Sequence, residues 1–191
     1  MDVVIILFIL FIALIAIYTY NTNKYGSQRS TLVSEKDVES NESSPNTRNL
    51  VFETLNMLNI DYEVDSDQDD RIVFTYQGET FVVDAANDCY YINIWDLWWG
   101  HCELYDIDGF ARIKKAMNES NIHSNITTLY SINEGENTIG IHCRRNILFT
   151  KDIKNRDQYL SSELASFFQT QRYIAKQIDK YKNEEGKVNS R

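Results

Sequence analysis

Hydrophobic and polar residues alternate along residues 71–99, as they do in strands that bury one face. β-Branched and aromatic residues fill these runs, whereas Gln77-Gly78 and Asn87-Asp88 stand where the chain has to reverse. The central part of the chain is therefore predicted to form successive antiparallel strands. The residues expected on one face of these strands are Ile72, Phe74, Tyr76, Phe81, Val83 and Ala85.

Three further segments carry apolar residues at helical spacing. The first begins near Ser44 or Asn46, the second covers residues 106–121, and the third extends from about residue 157 to residue 182. Two more strands are expected at residues 127–132 and 138–149, on either side of a polar turn. In the second helix the apolar stripe consists of Ile107, Phe110, Ile113 and Met117.

The order of these elements predicts an α+β fold with helices packed on an antiparallel sheet. The elements follow one another as helix, several strands, helix, two strands and a long helix. This domain is expected to span residues 46–182. Residues 183–191 form a charged tail that is expected to fray.

The N-terminal segment has a different pattern, because residues 3–18 are apolar without interruption. Extended to Tyr20, this run gives a helix of roughly 27 Å, which is about the hydrocarbon thickness of a bilayer. We therefore predict one transmembrane helix, an anchor at residues 1–20. The alternative is a cleaved secretory signal, but only Met1 and Asp2 precede the run and no small-residue cleavage site ends it.

A polar tether is predicted to join the anchor to the domain. Residues 21–45 contain few large apolar side chains and cannot bury enough surface to offset the entropy of ordering. Basic residues follow the apolar run and none precedes it, which predicts a single-pass protein whose domain faces the cytoplasm. If the orientation is reversed, an envelope-facing structural protein is the alternative. The basic residues are Lys24, Arg29 and Lys36.

Charge and cysteine content narrow the classes of partner and compartment. The chain has 28 acidic and 19 basic residues and a formal charge of −9. It therefore lacks the basic surface that nucleic-acid binding needs, and no nucleic-acid partner is expected. Three cysteines cannot all pair within one chain, and their spacing does not resemble a disulfide framework, which favours a reducing compartment.

Two His-Cys pairs, His101-Cys102 and His142-Cys143, are the sharpest candidate for chemistry because imidazole and thiolate groups are ligands for soft metals. However, adjacent residues of a strand point to opposite faces, so each pair can offer only one ligand to a given side. The chain also has no P-loop, G-x-S-x-G, H-E-x-x-H or C-x-x-C motif. No catalytic residue, metal site or cofactor is therefore predicted.

Aromatic residues are concentrated around the strand that begins near residue 90. Such side chains form the core when they are buried and dominate binding energetics when they are exposed. Three helices can leave one sheet face open, and the aromatic residues would then line a groove for a partner protein. The predicted partner-binding residues are Tyr91, Trp95, Trp98 and Trp99.

Four stretches of the chain resemble the YbjN-type bacterial domain, whose fold is that of the small type III secretion chaperones. They are LNIDYEVDSDQDDRIVFTYQGETFVV, YINIWDLWW, IKKAMNESN and NILFTKDIKNRDQYLSSELASFFQTQRYI, which together cover roughly residues 47–180. The resemblance implies a noncatalytic domain that binds other polypeptides, often as a homodimer, and that is linked with regulation. It supplies no catalytic residues. The anchor and tether depart from the usual soluble secretion chaperone.

The leading hypothesis from the sequence is a membrane-anchored, noncatalytic protein-protein interaction module with a chaperone-like or regulatory role. Its partner would be another protein or a second copy of itself, and its N-terminal helix would bind the membrane. The alternative is a metal- or thiol-dependent membrane-bound enzyme that uses His101, Cys102, His142 and Cys143.

Overall fold

A computed structural model describes residues 45–66, 68 and 70–188 of the 191-residue chain. The helices of this part are α1 (Thr47–Met57), α2 (Ile107–His123) and α3 (Arg156–Val188). The strands are β1 (Tyr62–Val64), β2 (Arg71–Tyr76), β3 (Glu79–Asp84), β4 (Tyr91–Glu103), β5 (Thr127–Asn133) and β6 (Thr138–Leu148). They form one antiparallel sheet in the order β1-β2-β3-β4-β6-β5. The α+β architecture predicted from the sequence is therefore confirmed.

The hairpin between β2 and β3 forms where the sequence predicts a reversal. Gln77 and Gly78 both have positive φ, 51° and 91°, which is the backbone that a two-residue hairpin requires. The turn sets Tyr76 opposite Glu79, and this register places Phe74 opposite Phe81. The predicted alternation follows from it, because the apolar positions of both strands reach the same sheet face. Ile72, Phe74, Phe81, Val83 and Ala85 are all buried there.

Helices α1 and α3 cover this buried face. Leu55 of α1 and Leu164 of α3 are fully buried against it. The ring of Phe167 meets Phe81 edge to face, with ring centroids 5.4 Å apart. The C-terminal half of α3 continues past this cluster and packs against α2, where Ile174 contacts Ala116. The three helices therefore bury their apolar residues on one side of the sheet.

Helix α2 differs from the sequence prediction at its first turn. Its buried side runs through Gly109, Ile113 and Ala116, and at 3.6 residues per turn Ile107 falls outside that stripe. Ile107 is accordingly 78% exposed, so its predicted place on the buried stripe is wrong. Asp106 ends the preceding loop and its carboxylate accepts the amide N–H of Gly109 at 2.8 Å, which caps the helix.

At the C-terminal end the structure differs from the sequence prediction, whereas the predictions for the N-terminal end are not tested. Helix α3 continues to Val188, six residues beyond its predicted end at residue 182. Within residues 45–66, 68 and 70–188, none of the helices is long and apolar enough to cross a bilayer. The predicted anchor at 1–20 and nearly all of the tether at 21–45 lie outside the described residues, and both stay predictions.

Candidate protein-binding surface

The second face of the sheet carries the side chains that alternate with the buried ones. None of the three described helices places its buried residues on this side, which we call the uncovered face. Strands β4 and β6 contribute most of its large side chains, and their register brings aromatic and basic residues together. These side chains are Tyr91, Asn93, Trp95, Trp98, His142, Arg144, Asn146 and Leu148.

Trp95 lies on the uncovered face and is held by two neighbouring side chains, Asp84 and Arg144. Its indole N–H donates a hydrogen bond to Asp84 Oδ2 at 3.2 Å. The other oxygen of that carboxylate accepts from Arg71 Nε at 3.0 Å. The guanidinium of Arg144 lies 5.2 Å from the Trp95 ring centroid, within cation–π range. These contacts fix the ring with one face against Arg144.

A bulge in β4 displaces the next aromatic residues. Asp96 pairs with Cys143 and Gly100 pairs with Ile141, so residues 97–99 oppose the single residue His142 of β6. Within the bulge, Trp98 has a φ of 61°, a left-handed conformation that large side chains rarely adopt. The bulge interrupts the strict alternation of β4 and therefore decides where the last two tryptophans point.

Trp98 packs against the side chain of His142 and against the backbone of Gly140, which has no side chain. Its amide N–H donates to His142 Nδ1 at 3.0 Å, and the two rings meet edge to face with centroids 5.1 Å apart. A Cβ added to Gly140 would lie only 2.3 Å from the Trp98 ring, so this contact requires glycine. The ring stays 47% exposed although its backbone is fixed. The fold thus presents a large aromatic side chain to the solvent.

The four residues predicted to bind a partner do not share one face. Tyr91, Trp95 and Trp98 lie on the uncovered face, and Tyr91 is 58% exposed. Trp99 instead points to the helix side, where it packs against the main core and against the clusters that contain Ile113 and Ile174, and so joins the main core to the α2–α3 contact. The bulge decides which of the two faces the helices: strict alternation from Trp95 would place Trp99 on the uncovered face and Trp98 on the helix side, and the bulge reverses this.

His142 and Ser131 form a hydrogen-bonded pair, but the direction of the hydrogen bond does not suit catalysis. Because Nδ1 accepts the Trp98 amide, the proton of the neutral ring is on Nε2, which donates to Ser131 Oγ at 2.7 Å. Burial lowers the pKa of His142, which favours that neutral ring. In this tautomer the imidazole cannot take a proton from Ser131, so the serine is not activated as a nucleophile.

The His-Cys pairs are divided between the two faces of the sheet, as the strand geometry predicts. His101 and His142 lie on the uncovered side, whereas Cys102 and Cys143 lie on the helix side. Burial raises the pKa of the Cys143 thiol to about 12, so it is protonated at neutral pH. Among the described residues, no group of three or more histidine, cysteine or acidic side chains is arranged to hold a metal ion.

Asp96 is a buried carboxyl group that the sequence reasoning missed. It occupies a core position of β4, is 1% exposed, and accepts a hydrogen bond from the Gln171 amide of α3. Its Oδ1 has no hydrogen-bond partner among the described residues. Burial, assisted by the negative charge of Glu79, raises the pKa of Asp96 to about 7. The sequence did contain a signal. Asp96 follows Ile92 and Ile94 at a spacing of two residues, so strand alternation places its side chain on the same buried face.

Comparison with known proteins identifies no family for the chain. No protein-family model matches it, and no curated protein matches it in sequence. Among solved structures, it is similar to the crystal structure of YbjN from E. coli, a proposed transcription regulator. That similarity covers 72% of this chain and 92% of YbjN, at 7% sequence identity and a TM-score of 0.44.

Proposed function

We propose that this chain is a noncatalytic module that binds another protein through the uncovered face and is tethered to a membrane by residues 1–20. In this proposal the domain faces the cytoplasm and its role is chaperone-like or regulatory. One observation carries the proposal: Trp98 is 47% exposed and yet held in a left-handed backbone conformation. Such strain is retained where the position of a side chain serves a function.

The surroundings of Trp98 support a protein partner. Exposed tryptophan and tyrosine side chains are the residue types most often found to dominate protein interfaces, together with arginine. Trp98, Tyr91 and Arg144 all lie on the uncovered face, and Trp95 joins them as a half-buried ring. Because β4 and β6 hold these side chains on a rigid sheet, little entropy is lost when a partner binds them.

In the part of the chain that the structure describes, no geometric feature favours the alternative of a metal- or thiol-dependent enzyme. The ring of His142 carries its proton on the side of Ser131, and the thiol of Cys143 is buried and protonated. A nucleophile needs the opposite arrangement, with a base that accepts its proton or a lowered pKa. The uncovered face therefore supports binding better than it supports a reaction.

Crosslinking in intact cells tests the proposal directly. A tagged full-length chain is crosslinked, solubilised in mild detergent, and the attached proteins are identified by mass spectrometry. We expect one dominant partner, and we expect Trp98→Ala to lower its recovery by about tenfold or more, because truncation of such an anchor costs about 2 kcal/mol. Tyr91→Ala should lower recovery by a smaller factor, since Tyr91 has fewer contacts.

The matched control is Tyr105→Ala, which removes an aromatic side chain that is 76% exposed but lies in the connection between β4 and α2 and not on β4 or β6. Recovery of the partner should be the same for this variant as for the unchanged chain. Equal loss in all three variants would point to a general effect on the domain. No loss with Trp98→Ala and Tyr91→Ala together would exclude the uncovered face as the binding surface.

A further inference from the structure

Polar residues interrupt the apolar contact between α2 and α3. The buried side of α2 runs through Ala116 to Ser120, which is 1% exposed. On α3, Thr170 lies between the buried residues Phe167 and Ile174 and is itself 5% exposed. Helical periodicity makes both of these positions part of the core, where an apolar side chain is expected. A hydroxyl buried at such a position lowers stability unless it has a hydrogen-bond partner.

Thr170 has such a partner, whereas Ser120 has none. Oγ1 of Thr170 lies 3.1 Å from Oγ of Ser124, and the same Ser124 oxygen accepts the amide N–H of Ile126 at 3.0 Å. Oγ of Ser120 is buried and has no hydrogen-bond partner among the described residues. Most buried hydroxyl groups in folded proteins are paired, so this one points to a partner outside the chain.

Ser120 lies in the wall of a pocket between the end of α2 and the middle of α3. The pocket has a volume of about 560 Å³, which is within the range of small-molecule sites. Its lining residues are three or four positions apart on each helix, so they share one helix face. The residues that matter below are Ser120, His123, Ser124, Gln169, Thr170 and Tyr173.

The chemistry of the lining favours a neutral ligand rich in hydroxyl groups. None of the described residues that line the pocket is Asp, Glu, Lys or Arg, and only the imidazole of His123 can gain a positive charge. The C-terminal end of α2 also presents carbonyl groups with partial negative charge, which disfavours an anion. Hydroxyl and amide side chains both donate and accept hydrogen bonds, as the hydroxyl groups of a sugar do.

Tyr173 adds an aromatic surface to this polar lining. Its side chain is half-buried, and its hydroxyl lies beside the carboxylate of Glu119. The face of an aromatic ring carries partial negative charge, which attracts groups with positive edges. The C–H groups on one side of a pyranose ring are such an edge. A ring sugar therefore matches the pocket better than an open-chain polyol does.

We infer that this pocket binds a neutral monosaccharide unit in its pyranose form. The sugar hydroxyl groups bond to Ser120, Gln169 and Thr170, and its C–H face packs on Tyr173. Serine has three staggered rotamers, so the enclosed hydroxyl of Ser120 can turn toward the ligand. The site lies between two helices on the side of the sheet opposite the uncovered face. It therefore does not depend on the proposed protein partner.

Saturation-transfer NMR tests the site on the full-length chain in a detergent that has no sugar headgroup. The probes are glucose, galactose and mannose, and we expect at least one of them to bind with a dissociation constant of about 1 mM or lower. Binding by none of the three would overturn the inference. Tighter binding of glucose 6-phosphate than of every neutral hexose would also overturn it, because the pocket would then select an anion.

The methyl glycoside of the hexose that binds identifies the source of the sugar. If the glycoside binds as tightly as the hexose, the anomeric oxygen is free of contacts and the pocket accepts a sugar unit linked to a larger molecule. If the glycoside binds at least tenfold more weakly, the pocket selects the free sugar. Both results support a pyranose site and differ only in where the ligand comes from.

Ser120→Ala separates binding from folding. It removes a hydroxyl that has no partner in the sugar-free domain, so we expect the midpoint of thermal unfolding without sugar to stay the same or to rise. The dissociation constant of the sugar should rise about fivefold, since one hydrogen bond is lost. A lower midpoint with an unchanged dissociation constant would show a purely structural serine and would overturn its contact with the ligand.

Thr170→Val and the two substitutions of Tyr173 test the rest of the site. We expect the dissociation constant to rise about fivefold for Thr170→Val and about tenfold for Tyr173→Ala, but less than about twofold for Tyr173→Phe, which keeps the ring. The matched control is Thr54→Val, a buried helical threonine of α1 whose hydroxyl donates to the Leu50 carbonyl. This variant should bind the sugar like the unchanged chain. Equal affinities in Thr170→Val, Tyr173→Ala and Thr54→Val would overturn the site.

Discussion

At the scale of single residues, Trp98 shows how a large side chain is kept on a surface. A left-handed conformation at a non-glycine residue costs about 1–3 kcal/mol and persists only when its surroundings determine it. Here the determinants are the imidazole of His142, which accepts the Trp98 amide, and the missing side chain of Gly140. Both lie on β6, so the position of Trp98 depends on a strand more than forty residues away in the sequence.

Gly140→Ala tests this dependence. The new methyl group would lie 2.3 Å from the Trp98 ring, so the ring would have to move away from Gly140. We expect a loss of about 1–3 kcal/mol in the free energy of unfolding. Urea denaturation measures the loss. In the control Gly100→Ala, the methyl would lie 3.4 Å from Ile141 Cδ1, an ordinary contact, so stability should be nearly unchanged. Equal losses of stability at both glycines would contradict the proposed packing of the Trp98 ring on Gly140.

At the scale of elements, the sequence predicted what depends on local periodicity. The alternation of β2 and β3, the hairpin at Gln77 and the order of helices follow from neighbouring residues. The bulge of β4 could not be predicted in this way, because residues 97–99 continue an aromatic and apolar run that fits either register. The bulge is set by pairing with β6, so the sequence could not show that Trp98, and not Trp99, would lie on the uncovered face.

The contact between β4 and α3 contains the buried carboxyl of Asp96, and it makes stability depend on pH. Because burial raises the pKa of Asp96 from 3.8 to about 7, the folded state favours the protonated acid. The contribution of Asp96 to stability is therefore fully present below pH 3.8 and is lost as the pH rises to about 7. Asp96→Asn, which keeps a partner for Gln171, should raise stability at pH 8 by up to about 4 kcal/mol.

Urea denaturation at pH 5, 6, 7 and 8 measures this effect, and the gain should shrink steadily toward pH 5. Glu79→Gln serves as the control, since removal of its negative charge should lower the pKa of Asp96 only in part. We expect that variant to show a smaller gain of the same sign at pH 8. A gain from Asp96→Asn that is equal at all four pH values would show that the carboxyl does not titrate in this range.

At the scale of the whole molecule, the proposed function combines a membrane anchor with a binding surface. The two parts are supported by different observations. The apolar run at residues 3–18 is a property of the sequence alone, whereas the uncovered face is a property of the fold. The sequence predicted an open face with aromatic residues because three helices can leave one side of a sheet uncovered. It could not show which of Trp98 and Trp99 lies on that face, since this depends on the bulge.

Thiol labelling tests the orientation of the full-length chain. Cys89 follows β3 and is exposed, whereas Cys143 is buried. If the domain faces the cytoplasm, a membrane-impermeant maleimide should label Cys89 only after the cells are lysed. Cys89→Ser gives the background from the half-buried Cys102. Labelling of Cys89 in intact cells would place the domain on the outer side and would favour an envelope-facing protein.

The short β1 strand limits how far the sheet can grow. One border of the sheet is β1, Tyr62–Val64, and it offers the backbone groups of only three residues. So few groups cannot hold an added strand, because short, isolated strand pairs are marginal in water. This border is therefore a poor starting point for a fibre built by strand addition.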